Sequence, residues 1–176
     1  MMTIPMASPD LTDAEVNSVA TVLRKGTLSL GPRIADFERC FAAYMGTPHA
    51  AGLSSGTAAL HLAMIAAQVE ENDLVVTTPF SFVASANCIL YQRGVPVFVD
   101  VDPLTGNINP DLTSDAVSRL AGGSGTRRAE PLLRAVRKNR GSLKALLPVH
   151  AFGQPVDMDP LIDLSRTHGL ALIEDA

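Results

Sequence analysis

From residue 49 onward the chain alternates short apolar runs with helix-like stretches, and this alternation narrows the possible folds more than any other feature. His49–Leu53 reads as a short strand, Gly56–Val69 as a helix rich in alanine and leucine, and Leu74–Thr77 as a second strand. A helical stretch from about Phe82 to Tyr91 follows, then a strand at Val95–Val99 and an irregular connection rich in Asp, Pro and Asn. The pattern closes with a strand at Leu143–Val149, a helix around Asp159–His168 and a strand at Leu170–Glu174. Strand, helix, strand in repetition is the signature of βαβ units. VPVFV, ALLPV and LALI are continuous apolar runs, as expected of parallel strands buried on both faces. The expected fold class is α/β: a three-layer α/β/α arrangement around a mostly parallel sheet.

Upstream of that pattern two helices are expected. Thr12 and Glu15 form a capping box, and Val16, Val19, Ala20 and Leu23 follow on one helix face. After Gly26 the chain reads as a loop until Pro32, which suits the first turn of a helix carrying Ile34, Phe37, Phe41 and Tyr44 on one side. Between Ala121 and Gly141 lies a glycine-rich run followed by RRAEPLLRAVRKNR. The run follows a helix rather than a strand and lacks the Lys-Ser/Thr ending of a P-loop. Leu132, Leu133 and Val136 give the basic segment an apolar face, so a loop and a surface helix are expected there.

The chain has 176 residues, 47% of them hydrophobic and 18% charged, which suits roughly one domain with a real core. Fourteen Lys+Arg against eighteen Asp+Glu give a net charge of −4, which argues against nucleic-acid or anionic-membrane binding driven by net charge. Any anion must therefore be held locally. Cys40 and Cys88 show neither disulfide-scaffold nor zinc spacing, so a reducing cytoplasm is the expected compartment. The N-terminus has no signal-peptide pattern, and no apolar run is long enough for a membrane span.

In open α/β sheets ligands bind outside the carboxyl ends of the strands. That rule selects Ser54–Thr57, Thr78–Phe82, His150 with Gly153 and Gln154, and Glu174 with Asp175. At Ser55-Gly56-Thr57 a strand leads into a helix. Its unpaired N–H groups and hydroxyls suit a phosphate, but Ser and Thr are also ordinary helix caps. The ring of Phe82 either stacks on a planar ligand or plugs the core. Asp175 either pairs with a ligand cation or protonated ring nitrogen, or serves as a cap or surface charge. Asp100 and Asp102 suit a metal or phosphoaspartate site or, with Pro103 and Gly106, a turn. His150 is either a base or ligand contact, or locally hydrogen-bonded. No histidine pair has metal-ligand spacing on one helix, and there is no Gly-x-Ser-x-Gly elbow and no strand-linked G-x-G-x-x-G.

The ordered segments SSGTAALHLAM, VVTTPFSFVASANCILYQRGVPVFVDVDPLTGNINPD and ALLPVHAFGQPVDMDPLIDLSRTHGLALIEDA resemble the N-terminal half of the DegT/DnrJ/StrS sugar aminotransferases. The upstream run IPMASPDLTDAEVNSVATVLRKGTLSLGPRIADFERCFAAYMG resembles that family's opening. The resemblance implies a pyridoxal-phosphate enzyme of the aspartate-aminotransferase fold type, usually a homodimer, that moves an amino group from glutamate to a keto nucleotide sugar. It also implies that Gly56 and Thr57 hold the cofactor phosphate, that Phe82 stacks on the ring, and that Asp175 pairs with the pyridine nitrogen. An ionised Asp175 would keep that nitrogen protonated.

In the family the Schiff-base lysine lies well downstream of the Glu-Asp-Ala motif, whereas Lys25, Lys138 and Lys144 here do not resemble it. Residues 1–176 are accordingly expected to be the N-terminal part of the cofactor-binding large domain. The remaining strands, the lysine segment and the small C-terminal domain would be absent, and the chain would be inactive alone. The family's usual length, about twice this one, matches an interrupted frame or a gene fragment. Two further readings are the sugar dehydratase branch of the family and a non-catalytic remnant that pairs with a full-length relative.

Overall fold

A computed structural model describes residues 8–122 and 141–176. The chain divides into two compact units, Met1–Gly52 and Leu53–Ala176. The expected basic helix within Ala121–Gly141 lies outside the described residues.

The first unit carries α1 (Asp13–Lys25) and α2 (Pro32–Met45). The capping box forms as expected: the Thr12 side chain accepts from the first turn, and the Thr12 N–H donates to Glu15 Oε2 at 2.7 Å. The Thr12 hydroxyl also donates to Glu15 Oε2, and this bond most, with the Thr12 N–H bond after it, holds the exposed Glu15 carboxyl below its usual range. Gly26 ends α1 at φ 72°, a left-handed conformation that glycine adopts without steric cost. The apolar stripe is not covered within this unit. Val16, Val19 and Leu23 are exposed, and Ala42 is the only buried residue of α2.

His49–Leu53 is not a strand. Strands persist where a neighbouring strand takes up their backbone groups, and the run has none among the described residues. The Gly52 N–H instead donates to Glu38 Oε1 at 2.8 Å.

The second unit holds α3 (Gly56–Ala66), β1 (Leu74–Thr77), α4 (Ala84–Tyr91), β2 (Val95–Phe98), α5 (Pro110–Gly122), β3 (Leu143–Leu147), a short 3-10 turn (Ala151–Gly153), α6 (Met158–His168) and β4 (Ala171–Leu172). The four strands are parallel, in the order β2-β1-β3-β4. β1 therefore lies between the strand that follows it and the one two crossovers later. The loops after β1 and β3 diverge at this switch point, where open α/β sheets form their clefts.

Alternation along the strands splits the core into two layers. Val75, Ala145 and Leu147 face Leu60 and Met64 of α3 and Ala84, Cys88 and Ile89 of α4. On the other face Val76 and Leu146 pack with Val117 of α5 and Leu161 of α6. This is the three-layer α/β/α sandwich expected from the sequence. Asp73, 4% exposed, ties the amino ends of β1 and β3 together: Oδ1 accepts from Ser142 N–H at 2.8 Å, and Oδ2 accepts from Glu70 N–H at 3.0 Å.

The last strand is shorter than expected because its regular ladder spans only Ala171–Leu172. Pairing resumes beyond it as an isolated parallel bridge. Asp175 N–H donates to Pro148 O at 3.0 Å, and His150 N–H donates to Asp175 O at 2.9 Å. Asp175 is thereby fixed by its backbone at the carboxyl edge of the sheet.

Candidate functional site

Three of the four sequence-selected places contribute to one edge of the second unit through backbone geometry that the structure shows directly. The loop after β1 carries Thr78, Ser81 and Phe82, and the residues after β3 and β4 carry His150 and Asp175. α4 begins at this edge because it follows β1 directly. α3 runs back along the sheet to reach β1 through a short turn, so its N-terminus points to the same edge.

Ser85, in the first turn of α4, links these parts. It is 1% exposed, and its hydroxyl donates to Asp175 Oδ2 at 2.5 Å. Ser81 Oγ lies 2.6 Å from the same hydroxyl, and Phe82 O lies 3.3 Å away. Phe82, Ser85 and Asp175 are thus brought together. An open pocket beside them is lined by Thr78, Pro79, Ser81, Phe82, Val83 and Phe98, among others. Gly56 and Thr57 make no hydrogen bond to this group among the described residues. They approach it only in sharing its edge.

The alternatives left by the sequence resolve unevenly. Phe82 is 78% exposed and is not a core plug. At α3 Ser55 is a true N-cap, its side chain accepting from Ala58 N–H at 3.1 Å. That bond leaves the N–H groups of Gly56 and Thr57, in the first helical turn, without an intrahelical acceptor. A Cβ built on Gly56 would meet no other atom of the described residues within 4 Å, so none of them crowds that approach to the helix end. Asp102 is a turn former: its Oδ1 accepts from Leu104 and Thr105 N–H groups at 2.8 and 3.2 Å.

His150 is held locally. Its Nδ1 accepts from Val156 N–H at 3.0 Å, so in the neutral ring the proton sits on Nε2, which lies 3.0 Å from Glu174 Oε2. With both nitrogens engaged, the ring organises the loop after β3 and is not presented as a base. Asn107, 3% exposed, completes that loop. Its Oδ1 accepts from Ala151 N–H, and its Nδ2 donates to Gln154 O and Pro155 O. Phe152 follows at φ 55°, a left-handed conformation costly for a bulky residue, with its ring edge-on to Phe80 at 6.0 Å.

Sequence reasoning passed over Ser85 and Asn107. A serine in a first helical turn reads as helix-end chemistry, and an Asn in a Gly-Asn-Ile-Asn run reads as turn chemistry. Neither pattern announces a partner dozens of residues away.

Cys88, one helical turn beyond Ser85, is fully buried, while Cys40 is exposed. Burial pushes the Cys88 thiol up to about 11, with the nearby Asp175 carboxylate adding to the shift. At pH 8 only about one in a thousand such thiols is ionised, and the thiolate is the reactive form. Alkylation followed by peptide mass spectrometry should modify Cys40 at least about tenfold faster than Cys88 in the native chain. Equal rates would contradict the buried placement. The folded thiol holds its proton to higher pH than an unfolded one. Its contribution to stability is therefore complete below about pH 9 and is lost as pH rises towards 11.

The parallel, three-layer α/β/α arrangement is the fold of pyridoxal-phosphate-dependent aminotransferases, and an acidic side chain, a buried hydroxyl and a helix N-terminus share one strand edge of it. Comparison with known proteins narrows this class. Residues 9–176 match the DegT/DnrJ/EryC1/StrS aminotransferase family, and the chain belongs to that family, whose aminotransferases depend on pyridoxal phosphate. It is 36% identical to the spore coat polysaccharide biosynthesis protein SpsC of Bacillus subtilis, over 98% of this chain and 39% of that protein. It is 34% identical to GDP-perosamine synthase of Caulobacter vibrioides, over 98% of this chain and 41% of that one. Among solved structures, S. venezuelae DesV in complex with a ketimine intermediate superposes with a TM-score of 0.75 at 34% identity, covering 93% of this chain and 38% of DesV. The chain thus spans about two fifths of the length of these relatives. No helix among the described residues is long and apolar enough to cross a membrane.

Proposed function

We propose that residues 53–176 form the phosphate- and ring-binding layer of a pyridoxal-phosphate-dependent sugar aminotransferase. The whole enzyme would transfer an amino group from glutamate to a keto nucleotide sugar and would act as a homodimer in the cytoplasm. The observation that carries this reading is the Asp175 carboxylate, fixed by its backbone at the carboxyl edge of a switch-point sheet and by Ser85 through one oxygen.

The residues present suit the cofactor. Oδ1 of Asp175 has no hydrogen bond among the described residues, so one carboxylate oxygen is left for a protonated ring nitrogen. A carboxylate there favours the protonated nitrogen, and the protonated nitrogen favours the carboxylate. The exposed Phe82 ring offers a flat apolar face to a planar ligand. At Gly56 and Thr57 the N–H groups of α3 meet the positive end of the helix dipole, a natural seat for a phosphate dianion. Pyridoxal phosphate, when bound, supplies the electron sink for amino-group transfer.

The sugar substrate, the amino donor and the second subunit rest on the family and on the names of its members. No sugar contact is proposed for these residues. Lys144 starts β3 at the amino end, away from the Asp175 edge. Lys144 is therefore not placed to reach the cofactor from the described part of this unit, and Lys138 does not resemble the family's motif lysine, so a covalent lysine is expected from elsewhere.

Titrating the purified 176-residue polypeptide with pyridoxal phosphate tests the reading. Reversible binding, seen as a saturable change in cofactor absorbance or fluorescence, is expected between micromolar and millimolar concentration. Glutamate-dependent amination of keto nucleotide sugars by this polypeptide alone should be undetectable. Absence of any saturable change at millimolar cofactor would overturn the assignment of the site.

A further inference from the structure

We infer that Ser85 is a positioning residue for Asp175, the last member of a two-hydroxyl relay, Ser81 to Ser85 to Asp175, that holds the carboxylate in one rotamer and reserves its second oxygen for the cofactor ring. This deepens the cofactor reading above and rests on it.

The direction of the relay follows from proton counting. A serine hydroxyl has one hydrogen to donate and lone pairs that accept. The Ser85 hydroxyl has three neighbours within hydrogen-bond distance: Asp175 Oδ2 at 2.5 Å, Ser81 Oγ at 2.6 Å and Phe82 O at 3.3 Å. A carboxylate and a carbonyl only accept, so they compete for one proton. The charged and much closer acceptor wins, because bonds to ionised oxygens are shorter and roughly twice as strong. With its proton committed to Asp175, Ser85 can only accept from Ser81. The relay therefore runs in one direction, and Ser81 polarises the hydroxyl that Asp175 receives.

Burial makes the arrangement restrictive. Ser85 is 1% exposed, and its backbone belongs to a helix whose Ala84, Cys88 and Ile89 are packed in the core, so its hydroxyl position is set by the sheet. Asp175 is only partly buried and sits one residue past an exposed Glu174. Without the Ser85 donor its side chain could rotate towards water. Its backbone bonds to Pro148 and His150 place the Cα but leave χ1 open. The remaining groups facing this carboxylate from α4 are the protonated Cys88 thiol and the Ser85 hydroxyl itself.

The test compares the full chain with its Ser85→Ala, Ser85→Thr and Ser81→Ala variants by two independent measurements. The first, on cofactor-free protein, is the side-chain rotamer of Asp175 from NMR couplings and its carboxyl-carbon shift. Wild type and Ser85→Thr should show a single rotamer. Ser85→Ala should show averaging, and Ser81→Ala a smaller displacement of the carboxyl signal. The second is the pyridoxal phosphate titration, where Ser85→Ala should raise Kd by about three- to tenfold and Ser85→Thr should restore it. Unchanged Asp175 signals in Ser85→Ala would overturn the proposal, as would an unchanged Kd. Should Ser85→Thr prove too large to fold, the graded Ser81→Ala response carries the comparison. If wild-type chain fails to bind pyridoxal phosphate, the cofactor reading falls while the NMR arm still decides whether Ser85 positions Asp175.

Discussion

Asp175→Asn is expected to weaken pyridoxal phosphate binding by at least about tenfold. The substitution keeps the shape and an oxygen for Ser85 but removes the charge that pairs with a protonated ring nitrogen. Hydrogen bonds to charged groups are worth about 1.5–3 kcal/mol, and 1.4 kcal/mol is a factor of ten in affinity. Competition by inorganic phosphate separates the two ends of the ligand. The phosphate seat at Gly56 and Thr57 should be untouched, so the inhibition constant of phosphate against the cofactor should not change. Equal cofactor affinity in wild type and Asp175→Asn would remove Asp175 from the site, whatever the phosphate result.

The second large effect concerns stability. Leu147→Ala is expected to cost about 2–5 kcal/mol, a substantial share of the roughly 5–15 kcal/mol that holds a domain of ordinary size. Leu147 is fully buried at the end of β3, where it packs in the layer shared by α3 and α4. Its carbonyl also accepts from Thr77 Oγ1 at 2.8 Å, so the backbone is held while the side chain is removed and the void cannot readily close. Leu112→Ala is the control: Leu112 is 47% exposed on α5, and its truncation should cost about 1 kcal/mol or less. Urea denaturation followed by circular dichroism measures both. A Leu147→Ala loss no larger than that of Leu112→Ala would contradict the close-packed layer between the sheet and α3 and α4.

Both results depend on elements that were legible before any coordinates. The strands at Leu74–Thr77, Val95–Val99 and Leu143–Val149 are apolar on both sides of the alternation. That pattern is expected of parallel strands covered on both faces, and β1 and the end of β3 are so covered, whereas β2, at the edge of the sheet, is only partly buried and leaves Phe98 exposed. The helices were legible for local reasons: a capping box at Thr12, a proline at the first turn of α2, and serine before Gly56. The error at His49–Leu53 has the same root. Apolar character reports that a segment wants burial, but a strand also needs a neighbour for its N–H and C=O groups, and the run carries no information about whether one is present.

Of the candidate site, Phe82 and Asp175 could be selected because the carboxyl-edge rule converts predicted strand ends into places; Gly56 and Thr57 were reached through a strand at His49–Leu53 that does not form, and they lie at this edge because α3 runs back to β1. Their roles came from family resemblance, not from the residues. Ser85 and Asn107 were not visible, since their partners lie 90 and 44 residues away along the chain.

The sequence by itself determined the fold class, the presence of most helices and the edge at which chemistry could occur, because those depend on side-chain period, capping and chain direction, all of which are local. α5 (Pro110–Gly122) forms where an irregular connection was expected, and α3 and α4 are shorter than their patterns suggested. Only the tertiary structure decided that Phe82 is exposed, that His150 is engaged at both nitrogens, and that a buried serine reaches the Asp175 carboxylate. These outcomes depend on strand order and on where separate loops meet, and no short stretch of sequence encodes such a meeting.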